Sequence, residues 1–325
     1  MHGRSVDEYR APLFVAWQLT NRCTARCLAC CEESGLDKAW RDELSRDEAL
    51  RVARAIGAAG IPYVAFGGGE PLGVPHAWRL FEALARAGCE LKLETDGSRI
   101  DEDAADRIVA LPMPCVQISV DGAVAATHDR MRPGGSFAAA VAAIERLAAR
   151  GRRPQMVFVP TRLNIDEITA AFELAATLGC EAFVTGPLMR LGRAAQDWHR
   201  LAPTAAQWQR AVDTLRSRAA AMAAAPALSI YPWDILAELR TRLESPQAML
   251  LVVPNGKVKL LNALPFAPAD LRRDSVEEAW DAYRAAWRSA AVRAFVERCA
   301  LEPALLRHAN ETWELDRPAT ATAPT

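Results

Sequence analysis

From residue 13 to about residue 200 the chain alternates between short apolar runs and amphipathic helical stretches. LFVAWQL, PYVAFGG, ELKLETDG, CVQISVDG, PQMVFVPT and EAFVTGPL have strand character. Between them lie helical stretches such as SRDEALRVARAIGAAG and SFAAAVAAIERLAARG, with Ser45 and Ser136 as N-caps and Gly60 and Gly151 as stops. The stretch PTAAQWQRAVDTLRSRAAAMA closes the series. Strands separated by whole helices cannot pair as hairpins, so they build βαβ units and a parallel sheet. Six such units predict an α/β barrel, full or partial. In a barrel of this kind the loops that follow the strands share one mouth, and that mouth carries function.

The chemistry-bearing segments fall on those loops. TNRCTARCLACC follows the first run, GGGEP the second, TDG the third and DG the fourth. The first is the densest, with Cys23, Cys27, Cys30 and Cys31 within nine residues. A zinc site wants four ligands, usually as two pairs, and no second pair or HxxxH is present. A thioredoxin-type CxxC is met formally by CLAC, but leaves Cys23 surplus. Four structural thiols in a loop of small and polar residues would be poor core material. An iron–sulfur cluster fits the CxxxCxxC spacing, with three thiolates from one short loop and Cys31 as a packed neighbour. Three ligands on a four-iron cluster leave one iron open for a substrate or cofactor.

Composition narrows the partners. The 325 residues are 51% hydrophobic and 24% charged, with a formal net charge of −1, so no global field draws nucleic acid or an anionic membrane. No apolar run approaches a membrane span and the polar start does not read as a signal peptide, so the expected address is the cytoplasm, where thiols stay reduced. The remaining cysteines, Cys89, Cys115, Cys180 and Cys299, are scattered and read as packed thiols.

After about residue 225 the pattern changes. ALSIYP reads as a strand, WDILAELRTRLE as a helix, and AMLLVVPNGKVKLLNAL as a hairpin turning at Asn255-Gly256. SVEEAWDAYRAAWRSAAVRAFVERCA reads as one or two helices. The expected division is an N-terminal segment 1–12, a barrel 13–225, a C-terminal extension 226–316 and a tail 317–325 too poor in large apolar residues to order itself.

Taken in order, the strand-end motifs resemble those of the radical S-adenosylmethionine (radical SAM) superfamily. CxxxCxxC resembles its cluster loop. FGGGEP resembles its GGE motif, LETDG its TNG turn, ISVDG its SxDG strand end, and HDRMRPGGSF its HDxxRG…GSF stretch. PTRLNIDEI, around Asn164, and RLGRAA resemble its strand-five and strand-six regions. The likeness runs from about residue 13 to 195. It departs at Ala29, where an aromatic residue is usual, and at Asp96, where Asn is usual.

The resemblance implies a partial (β/α)6 TIM-like barrel with a small α+β C-terminal extension. It implies a [4Fe–4S] cluster on Cys23, Cys27 and Cys30, with SAM on the open iron. SAM contacts would come from Gly68, Gly69, Glu70, Thr95, Asp96, Ser119, Asp121 and Arg132: Glu70 accepting from the SAM ammonium, Arg132 pairing its carboxylate. Reductive cleavage of SAM would yield a 5′-deoxyadenosyl radical that takes hydrogen from a substrate. The C-terminal stretch resembles a SPASM or twitch module, but Leu261 or Asn262 stands where its cysteine would be, so one cluster is expected. Lack of auxiliary clusters favours a small-molecule substrate. A fainter likeness points to antibiotic-pathway members such as cytosylglucuronate decarboxylase, hence to a nucleoside or sugar acid. Arg190 or Arg193 would anchor its carboxylate, with Glu32 a further catalytic candidate. The alternatives are a maturase of a ribosomally made peptide and a non-catalytic iron–sulfur carrier. Flavodoxin or ferredoxin would supply electrons; neither nucleic acid nor membrane is an expected partner.

Overall fold

A computed structural model of the chain describes residues 6–315. The strands are β1 Phe14–Gln18, β2 Tyr63–Gly67, β3 Glu90–Thr95, β4 Cys115–Ser119, β5 Gln155–Val157, β6 Ala182–Thr185, β7 Ala227–Ile230, β8 Met249–Val252 and β9 Lys257–Lys259. The short β10 Phe266–Ala267, β11 Ala269–Asp270 and β12 Trp313–Glu314 complete them. One sheet runs β11-β9-β8-β1-β2-β3-β4-β5-β6-β7. From β8 through β1 to β7 all pairings are parallel; β8–β9 and β9–β11 are antiparallel. This curved, mostly parallel sheet is the partial barrel that the βα period requires.

The helices between the strands are α1 Arg46–Ala58, α2 Ala77–Arg86, α3 Glu102–Ala110, α4 Ala125–Met131, α5 Phe137–Ala149 and α6 Ile168–Thr177, then α7 Gly192–Gln196, α8 Trp198–Leu201 and α9 Ala205–Ala221. Ser45 caps α1 in a reciprocal box with Glu48, and Ser136 caps α5. Alternation along the strands sorts the two faces. In β1, Val15 and Trp17 are buried toward the helices, where Trp17, Phe66 and Phe81 lie ring against ring. Phe14 and Ala16 turn to the other face and pack with Met249, Leu251 and Val253.

Beyond residue 225 the chain returns to the same sheet. β7 pairs with β6, and the expected hairpin forms as β8 and β9, with β8 placed beside β1. α10 Ile235–Glu244, α11 Val276–Trp287 and α12 Ala290–Leu301 cover this end, followed by a 3₁₀ segment Pro303–Asn310. The hairpin and the strand at 227–230 therefore extend the barrel sheet on its two sides. The tail at 317–325 lies outside the described residues. Among those residues no helix is long and apolar enough to cross a membrane.

Candidate functional site

The loop after β1 is held from several sides. It closes on itself through Cys23 N to Gly35 O (3.1 Å) and Gly35 N to Asn21 O (3.3 Å). The end of β2 clamps its base: Gly69 N donates to Thr20 O (2.7 Å) and Glu70 N to Arg22 O (3.0 Å). Only glycine permits that approach, since a Cβ on Gly69 would collide with the Arg22 backbone and Gly68 holds a φ of +108°. On another flank Arg26 N and Leu28 N donate to Pro133 O (2.7 Å) and Met131 O (2.9 Å). From α7, Arg193 N donates to Cys30 O (3.0 Å) and Arg193 Nε to Cys27 O (2.7 Å). Asn310 Nδ2 donates to Cys31 O and to Glu33 (both 2.9 Å).

Within this frame Cys23, Cys27 and Cys30 line one cavity of about 200 Å³ together with Gly68, Thr95, Asp96, Ser119, Asp121 and Arg132. The motifs expected at the barrel mouth thus do meet. Asp121 is the hub: its Oδ2 accepts from Arg132 Nε (2.7 Å) and its Oδ1 from Val159 N (2.8 Å). Its backbone is fixed as well, Asn164 Nδ2 donating to Asp121 O (3.0 Å) and Asp121 N donating to His128 Nδ1 (3.2 Å). Arg132 Nη1 reaches Cys27 Sγ at 3.4 Å. Burial pushes the Cys23 thiol up to about 12 and also raises that of Cys27, which Arg132 opposes.

The donor set fits a cluster with SAM. Three soft thiolates suit iron–sulfur chemistry. Among the described residues no three His, Cys, Asp or Glu side chains converge as ligands of a single ion do; cluster thiolates bind separate irons and need not converge. Asp96 Oδ2 is buried on the cavity with no hydrogen-bond partner, while its Oδ1 accepts from Ser98 N (2.8 Å). An orphaned buried carboxylate oxygen calls for a donor-bearing or cationic ligand.

Other expected residues are placed differently. Both Glu70 oxygens are engaged inside the protein, by Leu72 N (3.1 Å), Thr95 Oγ1 (2.9 Å) and Asp96 N (3.0 Å). Burial, then the nearby Asp96, pushes its carboxyl up to about 8. Glu70 is thereby a brace between β2 and the end of β3. Arg190 and Arg193, expected to anchor a substrate carboxylate, do not line the cysteine cavity. Arg193 is committed to loop carbonyls, and Arg190 lies 5.5 Å over the Trp198 ring on the far side of the loop. They lie beyond the expected sixth strand end, Arg190 in the connection from β6 to α7 and Arg193 within α7.

Glu32 begins no helix. It contacts Cys31, whose Sγ lies 3.7 Å from its Oε1, and burial raises its carboxyl. Glu32 also lines a second cavity of about 400 Å³ that shares Cys31, Glu32, Gly68 and Glu94 with the first. Its remaining walls include Phe14, Met189, Met249, Leu251, Leu261 and Glu238, with no Arg or Lys. Asn310 and Lys259 were missed by sequence reasoning. Lys259 is buried, donates to Ala309 O, and is lowered by burial to about 8. Neither sits in a recognisable motif.

Residues 17–175 match the family model described as the radical SAM superfamily. Over those residues the chain carries a radical SAM domain. Members of the family use a [4Fe–4S] cluster and SAM. The chain is 37% identical over 198 residues to mycofactocin maturase MftC of Mycobacterium ulcerans (strain Agy99), covering 61% of this chain and 53% of that protein. It is 32% identical over 184 residues to an AdoMet-dependent heme synthase of Methanosarcina barkeri (strain Fusaro), covering 56% and 52%. The chain thus spans about half the length of the curated relatives it matches. Among solved structures, Streptococcus suis SuiB bound to S-adenosylmethionine aligns with a TM-score of 0.69 at 11% identity, over 83% of this chain and 66% of SuiB. The anSMEcpe enzyme with bound AdoMet and the Cp18Cys peptide aligns at 0.61 and 16% identity, over 83% and 80%. At such identities these likenesses show the fold. The likeness to cytosylglucuronate decarboxylase is not shown by these comparisons.

Proposed function

We propose that this chain is a radical SAM enzyme that modifies a peptide substrate. The observation that carries the first half is the convergence of Cys23, Cys27 and Cys30 with Asp96, Asp121 and Arg132 on one cavity. Cys23, Cys27 and Cys30 would hold the [4Fe–4S] cluster, and SAM would lie against Asp96, Ser119 and Arg132. When bound, the pair supplies reductive cleavage of SAM to a 5′-deoxyadenosyl radical able to take a hydrogen atom from carbon.

The chain's own groups orient and shield. Arg132, locked by Asp121, offers its remaining N–H groups to a carboxylate. Asp96 Oδ2 accepts from the amine or another donor of the ligand. Gly68 lets the backbone come close, and the loop clamps hold the three cysteines on one cavity.

Two observations support a peptide. MftC is named a maturase, and SuiB has been solved bound to its precursor peptide SuiA. The adjoining cavity is walled by apolar side chains and by Glu32, Glu94 and Glu238, whose neighbouring cations Lys259, Lys92 and Arg242 do not line it. A carboxylate-rich substrate, a sugar acid or a porphyrin, would meet no countercharge there, whereas an uncharged or cationic side chain would. These observations favour a peptide over the sugar acid suggested by sequence alone. The test is to incubate the reconstituted chain with SAM, reductant and either short peptides or nucleoside sugar acids. Stimulation of 5′-deoxyadenosine release by a peptide, with a mass change in that peptide, supports the reading. Stimulation only by a sugar acid removes it. No 5′-deoxyadenosine under any condition would instead indicate a non-catalytic iron–sulfur carrier.

A further inference from the structure

We propose that Glu94 positions the substrate: its free carboxylate oxygen accepts a main-chain N–H of a peptide lying over Gly67 and Gly68. The inference rests on the peptide reading above and says how that peptide is held. Cys31, Glu32, Gly68 and Glu94 line both the cysteine cavity and the second cavity of about 400 Å³. A peptide residue with its side chain in the second cavity and a carbon within reach of the first has its main chain at this junction.

The pairing of the strands explains why Glu94 stands there. Gln18 is in register with Gly67, Glu94 with Gln117, and Gln117 with Gln155. Phe66 pairs with Leu93, so Gly67 and Glu94 are the next step along β2 and β3. Residues level with one another across a sheet share a face, so these five form one row on the face that Phe14 and Ala16 take in β1. Gly67 is the gap in that row. A Cβ there would stand 3.2 Å from Glu94 Oε2, so the missing side chain leaves that oxygen clear. About half of the Glu94 side chain is exposed (51%), although its neighbours Leu93 and Thr95 are buried.

The other polar groups of the row are committed. Gln117 Nε2 donates to Gln155 Oε1 and Gln155 Nε2 to Glu181 Oε1, both at 2.9 Å. Gln18 is hydrogen-bonded to Glu32, which also has Lys259 nearby. Lys92 Nζ lies 2.6 Å from Glu94 Oε1 and answers its charge. Among the described residues nothing donates to Glu94 Oε2. What this carboxylate lacks is therefore a hydrogen-bond donor and not a cation. A main-chain amide supplies one N–H with no charge of its own. Gly67 and Gly68 carry no side chain to hold that amide away.

The test uses the full chain, reconstituted with its cluster and loaded with SAM, and a pool of short peptides with blocked termini and no acidic residues. In the peptide that most stimulates 5′-deoxyadenosine release, each main-chain amide is replaced in turn by an ester, which removes one N–H and keeps the chain length. In wild type one replacement should raise the half-saturating peptide concentration about 10-fold or more. Glu94→Ala should respond to the amide and to that ester equally, both about as weakly as wild type responds to the ester. Glu94→Gln, with a neutral carbonyl in the same place, should keep a gap of about 3-fold. A merely structural role for Glu94 would weaken both peptides and preserve the 10-fold gap. That result, or a wild type with no ester-sensitive position, would overturn the proposal. A wild-type chain that responds to none of the peptides would instead overturn the peptide reading, and this use of Glu94 with it.

Discussion

Arg132 and Arg193 both reach Cys27, from opposite sides of the loop. Arg132 donates to its sulfur at 3.4 Å and is fixed by the buried Asp121 carboxylate. Arg193 donates to its carbonyl at 2.7 Å, and its backbone holds Cys30. The inner wall keeps capacity in reserve, since Arg132 has further N–H groups and Asp96 Oδ2 lacks a partner. The outer wall spends Arg193 N and Nε on loop carbonyls and leaves Arg193 Nη2 buried without a partner. The same residue type is therefore a binding group on one wall and a clamp on the other. What separates them is whether the partner is a side chain facing the cavity or a main-chain oxygen facing away.

The contrast can be broken most sharply at the ligands. Cys23→Ala, Cys27→Ala and Cys30→Ala should each lose the cluster, read as loss of bound iron and of visible absorbance, while Cys31→Ala should keep most of it. Wild type should carry about four irons per chain, because Cys89, Cys115, Cys180 and Cys299 are free thiols spread through the fold; about eight would show a second cluster.

Next in size is the inner wall. Asp121→Ala leaves the buried Arg132 without its counter-ion, and chemical denaturation should show a loss of about 3–5 kcal/mol. If the loss is under about 1 kcal/mol, the pair is not the hub described. The outer wall should respond differently. Asn310→Ala frees Cys31 O and one side of Glu33, costing about 1–3 kcal/mol. Its clearest sign should be faster bleaching of the cluster in air, with SAM affinity unchanged.

The smallest effect concerns Glu70. Its carboxyl, raised to about 8 in the folded chain, holds a proton that the unfolded chain releases near its ordinary pKa. Folding is therefore favoured most at low pH through this group, and that share fades as pH rises toward about 8. Urea midpoints of the cluster-free chain at pH 6 and pH 8 should differ more in wild type than in Glu70→Gln. Equal slopes would mean that Glu70 ionises freely.

The fold was legible where local signals are strong. Period-two runs and the Ser45 and Ser136 caps mark the βα units because they arise from neighbouring residues. The seating of β8 beside β1 was not legible, since two strands more than two hundred residues apart leave no local trace of their pairing. In the site, the cysteines, Asp121 and Arg132 could be read because each lies in a recognisable motif: the loop after β1, the turn just after β4 and the end of α4. The bracing role of Glu70 was not legible, because its partners Thr95 and Asp96 sit at the end of the next strand, and only the fold brings them to it. Arg190 and Arg193 misled for a related reason: position on a strand end does not say which side of a loop a side chain takes. Asn310 lies in a 3₁₀ segment with no pattern at all.

The central claim is that three of the four clustered thiols make a SAM-cleaving centre. The direct measurement is 5′-deoxyadenosine, quantified by chromatography after anaerobic reconstitution and incubation with SAM and reductant. Wild type and Cys31→Ala should form it, and Cys23→Ala, Cys27→Ala and Cys30→Ala should not. A fully loaded wild-type chain that forms none, or equal loss in all four variants, would contradict the account.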